Sequence, residues 1–189
     1  MNGTEASRIS GGNSAYGRAK GDFYPTPPEV TYALLDFLDL PRGTRIWEPA
    51  CGNGDMVREM ETWGYQVTGT DISMGQDFLT VPPVPCDWII TNPPFSLSGG
   101  FIERCQHIGK PFALLLKSQF WHARKRLKLF REEPPVWVLP LTWRPDFLFK
   151  TRGGGAPLMD VLWCVWNPGK PSFGTHYQPL PRPDMKGST

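Results

Sequence analysis

The run PFALLLK, residues 111–117, constrains the fold most. A strand with one wet face alternates apolar and polar side chains, and this run does not alternate. It therefore reads as a parallel strand covered on both faces, which requires helices above and below. The rest of the chain supplies them. In PPEVTYALLDFLDL, Val30, Leu34, Leu35 and Leu38 recur at helical spacing behind two prolines, a sound helix start. GDMVREMETWG is an amphipathic helix closed by Gly64, and GGFIERCQHIG is a helix stopped by Gly109. FWHARKRLKLFREE reads as a further helix. Between them, TRIWEP, YQVTGTD and CDWIITN are short strands of β-formers. PVWVLPL and VLWCVWN follow as two strands without a helix between them, expected as an antiparallel pair at one edge. The pattern predicts an α/β chain with a mostly parallel, doubly wound sheet and an antiparallel edge strand.

The 189 residues fit one domain. Residues 1–20 are polar and rich in Gly, Ser and Asn, and read as a flexible tail. Residues 21–170 form the domain, and 171–189 read as a second tail on which Phe173 and Tyr177 could dock. No apolar run marks a signal peptide or a membrane span. Cys51, Cys86, Cys105 and Cys164 are too far apart for metal-ligand spacing, and read as reduced thiols of a cytoplasmic protein. The net charge of +2 means that any nucleic-acid contact must come from local clustering.

Ligands of an open α/β sheet bind beyond the carboxyl ends of the strands. Here those ends carry Glu48-Pro49-Ala50-Cys51-Gly52-Asn53-Gly54-Asp55, then Asp71, then Asn92-Pro93-Pro94-Phe95, then Lys117. Gly52 and Gly54 permit a tight turn and close approach to a ligand. Val57 stands where a dinucleotide fingerprint has its third glycine, and the acids Glu48 and Asp55 repel phosphate. Such a turn suits a ligand carrying a positive group and hydroxyls. Asp71 can accept both hydroxyls of a ribose. Asp77 can accept from an adenine amino group while Ile72 or Phe78 packs on the ring. Prolines cannot donate to a ladder, so Pro93 and Pro94 end the strand and leave a rigid rim with one amide and one ring.

Together EPACGNGD, GTDI, QDF and NPPF resemble the S-adenosylmethionine-dependent amino-methyltransferases, in particular the DNA adenine-N6 methyltransferases of bacteria and phages. DFYPTPPEV is similar to that family's N-terminal cofactor motif, and the motif order is that of the subgroup with target recognition after catalysis. The resemblance spans residues 22–167. It implies a Rossmann-like class I fold, S-adenosylmethionine as cofactor, and a cytoplasmic site of action in a bacterial or phage-infected cell. It further implies that Tyr24, Thr26 and Pro27 border the methionine end of the cofactor. Glu48 with Ala50, Cys51, Gly52, Asn53 and Gly54 would surround its amino acid and sulfonium, and Asp71, Ile72, Asp77 and Phe78 its nucleoside. Asn92, Pro93, Pro94 and Phe95 would hold an adenine flipped out of DNA. RNA adenine or a protein glutamine is the alternative substrate, and a non-catalytic nucleic-acid-binding relative the alternative role.

For contact with DNA, the loop 142–158 stands out, because it joins two strands at the proposed edge. Arg144, Lys150 and Arg152 on it, and Lys117 beside it, could meet phosphates. The basic positions Arg124, Lys125, Arg126, Lys128 and Arg131 read more simply as a solvated helix face. Arg8, Arg18 and Lys20 could add a salt-sensitive arm. So short a loop predicts a short or relaxed target sequence, or a partner subunit.

Overall fold

Backbone pairing in the computed structural model, which describes residues 25–147, 159–169 and 174–184, joins seven strands in the order β2-β1-β3-β4-β6-β5-β7. The strands are β1 Arg45–Glu48, β2 Gln66–Gly69, β3 Trp88–Thr91, β4 Phe112–Lys117, β5 Trp137–Pro140, β6 Val161–Trp166 and β7 His176–Tyr177. β1 to β4 pair in parallel, and β6 runs antiparallel to both β4 and β5. The helices are α1 Pro28–Leu38, α2 Asp55–Thr62, α3 Ser98–Ile108 and α4 Leu127–Glu132.

The central strands are apolar on both faces, and their residues sort by a period of two. Ile46, Ile90, Ala113, Leu115, Trp163 and Val165 face one core, which α1 and α2 complete with Val30, Leu34, Leu35, Met56 and Met60. Trp47, Ile89, Phe112, Leu114, Leu116, Cys164 and Trp166 face the other, with Phe101, Ile102 and Cys105 of α3. The apolar run at 112–116 thus divides between two helical layers. α1 begins with Pro28 in its first turn, where a missing N–H costs nothing. It is fastened to the sheet by the Trp163 indole N–H, which donates to the Val30 carbonyl at 3.0 Å.

The expected antiparallel pair, β5 with β6, lies toward one edge of the sheet, with β6 between β4 and β5 and β7 outermost. Two expectations need correction. The segment read as one helix from residue 120 to 133 is broken into 3₁₀ turns at Ser118–Trp121 and Arg124–Arg126, and only α4 is α-helical. Ring contacts fold this segment back on itself. Arg126 donates to the Phe120 carbonyl at 2.6 Å with its guanidinium over the Phe120 ring, and Trp121 stacks on Phe130. Finally, residues 174–184, read as tail, include a strand paired to the sheet edge and one buried side chain, Leu180. β7 pairs in parallel with β5, Leu180 pairs beyond it, and Arg182 reaches Glu29 in the first turn of α1 at 3.2 Å. This strap covers the edge that β5 would otherwise expose.

Leu180 is 2% exposed and Tyr177 68% exposed on the same strap. Leu180→Ala is expected to cost about 2–5 kcal/mol in urea unfolding, and Tyr177→Ala within about 0.5 kcal/mol. Equal effects would show that the strap is not held by its buried leucine.

Candidate active site

Because β1, β2, β3 and β4 are parallel, Glu48, Asp71, Asn92 and Lys117 come out at one edge of the sheet. β5 ends and β6 begins at that edge too, since Lys117 pairs with Val161 and Pro140 with Leu162. The loop between β5 and β6 therefore springs from the same rim.

The turn after β1 is built by glycine. Gly52 (φ 50°) and Gly54 (φ 77°) both take left-handed backbone, and Gly54 caps α2. Cys51 N–H donates to the Thr70 carbonyl at 3.0 Å, which draws the turn against the end of β2. The approach needs a glycine at position 69 as well. A Cβ there would lie 3.0 Å from Val57 Cγ2 and 3.2 Å from Cys51 Sγ.

Glu48 ties this turn to the neighbouring strand. Its Oε1 accepts from Ala50 N–H at 3.0 Å and from the Thr91 hydroxyl at 2.5 Å, one residue before Asn92. The carboxyl is 1% exposed, and its Oε2 has no hydrogen-bond partner among the described residues. Burial pushes it up to about 8 from an ordinary 4.5, against the hydrogen bonds of Thr91 and Ala50. Asp71 behaves oppositely. Burial works to raise it, but donors outweigh that and hold it below its ordinary value. Its Oδ1 accepts from Ser73 N–H at 2.8 Å, and its Oδ2 from Gly52 N–H at 3.0 Å. One edge thus holds an ionised acid and an acid kept near neutrality.

Asn92 follows. Its amide nitrogen donates to the Thr26 hydroxyl at 3.0 Å, across 66 positions of sequence. Thr26, buried just ahead of α1, thereby fixes the plane of the amide. Pro93 is buried, and Pro94 leads into a 3₁₀ turn at Phe95–Leu97. Leu97 N–H closes the turn on the Pro94 carbonyl at 2.8 Å, and the Ser98 hydroxyl donates to the Phe95 carbonyl at 3.0 Å. The Lys117 ammonium sits over the Phe95 ring, 4.5 Å from its centroid.

The other expected residues divide. Ile72 is 70% exposed beside Asp71, free to cover a flat ring. Asp77 Oδ1 caps its own turn, accepting from Leu79 N–H at 3.0 Å. Phe78 does not belong to a ligand surface. It is 2% exposed and packs between Trp47 and Phe101 in the core beneath. Asn53 is exposed on the turn, with its carbonyl accepting from Arg58 at 2.7 Å. Pro27 caps α1 next to Thr26. Arg144 pairs with Asp160 at 2.7 Å, so the two ends of the loop between β5 and β6 are bridged. Tyr24, Lys150 and Arg152 lie outside the described residues. Thr91 and Gly69 were not expected at the site. The lone hydroxyl at the end of the apolar strand WIIT was the signal for Thr91.

The fold is the class I methyltransferase fold. Solved structures that share it include a Listeria monocytogenes protein assigned to the class I S-adenosylmethionine-dependent methyltransferases, with a TM-score of 0.60 and 18% identity over 94% of this chain and 71% of that one. Another is the methyltransferase subunit of a type I restriction-modification system from Streptococcus thermophilus, with a TM-score of 0.60 and 12% identity over 90% and 51%. A third is the 23S rRNA methyltransferase ErmE, with a TM-score of 0.57 and 16% identity over 79% and 71%. In sequence, the chain is 28% identical over 158 residues to the type II methyltransferase M.TthHB8I of Thermus thermophilus. That match takes in 69% of this chain but 37% of the relative, so the chain spans little more than a third of its length. No family model matches the chain.

The raised carboxyl of Glu48 has a measurable consequence. Its protonated form is favoured in the folded state, so its contribution to stability is complete below about 4.5 and is lost as pH rises through about 8. Glu48→Gln removes that dependence. Urea unfolding from pH 4.5 to 8 is expected to show wild type losing stability relative to the variant, on the order of a few kcal/mol. Parallel curves would mean that Glu48 is ionised without penalty.

Proposed function

We propose that the chain is an S-adenosylmethionine-dependent methyltransferase acting on the N6 amine of adenine in DNA, with a short or relaxed target sequence. The observation that carries this reading is the Glu48 carboxyl. It joins a glycine turn lined with acids to the strand that presents Asn92 and Phe95. The likeness to a type II methyltransferase and to a restriction-modification methyltransferase subunit supports it.

The residues fit the cofactor. Glu48 Oε2, buried and unpartnered among the described residues, is a site for an ammonium group, and Asp71 keeps lone pairs for ribose hydroxyls. Exposed Ile72 suits an adenine face, and the Gly52–Gly54 turn leaves backbone room beside them. When bound, S-adenosylmethionine supplies a methyl electrophile on a sulfonium.

The chain's own part is to prepare the amine. An adenine N6 is a weak nucleophile, because its lone pair is delocalised into the ring. Asn92 Oδ1 and the Pro93 carbonyl each accept one of its protons, which favours a pyramidal nitrogen with its lone pair free to attack. Asn92 cannot act as a base, so the proton is lost to water after transfer. Thr26 accepts from the amide nitrogen and so restrains the plane of the amide. Phe95 stacks on the base, a contact of about 1–3 kcal/mol.

A second reading keeps the chemistry on RNA adenine, favoured by the likeness to an rRNA methyltransferase. Labelled S-adenosylmethionine offered with unmethylated DNA, RNA or protein, followed by digestion to monomers, separates these. The expected product is N6-methyladenine in DNA. Asn92→Ala is expected to lower kcat by about 10²–10³, as for loss of one preorganised polar group. Thr26→Val is expected to lower kcat by up to about tenfold, with little change in cofactor affinity. Product in DNA that is insensitive to Asn92→Ala would remove this residue from the chemistry.

A further inference from the structure

The ring of Phe95 is half-buried and packs against the core cluster on the α1 face of the sheet. The Lys117 ammonium covers it, 4.5 Å from the centroid. Strand register produces this meeting. Thr91 pairs with Leu114, so Lys117, three residues further along β4, stands level with the segment that follows Thr91. The Ser118 N–H then donates to the Asp160 carbonyl at 3.0 Å, which fixes the backbone beside Lys117. A phenyl ring has two faces. With core packing against the ring and an ammonium over it, an incoming base needs the face where the cation lies.

We propose that Lys117 is a placeholder on Phe95: its ammonium occupies the ring face that the target base takes, and the base must displace it to stack. The inference rests on the base-site reading given above and adds a selection step to it. The cation–π attraction is part of what stacking must replace, and a purine offers more stacking surface than a pyrimidine. Lys117 therefore acts on which base is accepted, through Phe95, and is a specificity-determining residue. This differs from the phosphate contact that a lysine at this edge suggests from sequence. The two roles predict opposite changes when the lysine is removed.

The test compares full-length wild type, Lys117→Met and Phe95→Leu. Each is titrated with a short mixed-sequence single-stranded oligonucleotide over a range of salt, and the lysine ε-methylene signals are followed by NMR. In the wild type, one ε-methylene signal is expected upfield from the ring current. It should be absent in Phe95→Leu, and should return to the ordinary range when the oligonucleotide saturates. Lys117→Met is expected to bind about threefold more tightly than wild type, with the same salt slope. Weaker binding, with a slope lowered by about one, would make Lys117 a phosphate contact and overturn the proposal. An upfield signal that persists at saturation, with unchanged affinity in Lys117→Met, would overturn it as well. Both results leave the base-site reading standing. Failure of all three proteins to bind the oligonucleotide would remove the nucleic-acid reading and the placeholder together.

Discussion

The site depends on one buried carboxyl. Glu48 lies at the end of β1, and its Oε1 takes a hydrogen bond from the turn that follows and another from Thr91 on the adjacent strand. Without it, the glycine turn and the Asn-Pro-Pro-Phe rim would be two loops that happen to leave the same edge. With it, the distance between them is set by the spacing of neighbouring strands, about 4.8 Å. A carboxyl so deeply buried is costly to ionise, and its second oxygen, without a partner among the described residues, adds a further demand. That demand is the reason to expect a cationic ligand there, because a partner charge would relieve it.

The two acids at this edge show how environment divides one chemistry into two. Asp71 has donors on both oxygens and stays ionised, whereas Glu48 is shielded and holds its proton to near neutral pH. A neutral acid and a charged one, next to glycine backbone, can receive both an ammonium and a pair of hydroxyls. Farther along, Thr26 extends the arrangement beyond the sheet. Its hydroxyl links the start of α1 to Asn92, and the strap joins α1 again through Arg182 and Glu29.

Much of this was legible in the sequence. The helical spacing of Val30, Leu34 and Leu35, the apolar run at 112–116 and the proline stop after Asn92 each have one simple physical reading, and each holds. The features that were not legible depend on contacts between distant segments. β7 has two residues, both exposed, so no alternation marks it, and it exists because β5 offers an open edge. The segment 120–133 has a helical pattern, but Arg126 on Phe120 and Trp121 on Phe130 bend it into turns. Phe78 sits in a loop without periodicity, so nothing local tells whether its ring faces ligand or core. The Thr91 hydroxyl gains its meaning only from the β1–β3 pairing that sets it against Glu48.

The segment from residue 141 to 160 leaves and rejoins the scaffold at firmly held posts. Thr142 is fixed on the Leu180 carbonyl through both N–H and hydroxyl, and Asp160 is held by Arg144 and by Ser118 N–H. Closing a longer chain between fixed posts is cheap, since each doubling of length adds only about 0.6 kcal/mol. A scaffold of this kind is a socket. Insertions of very different size can be carried between Thr142 and Asp160 while Glu48, Asp71 and Asn92 stay in register.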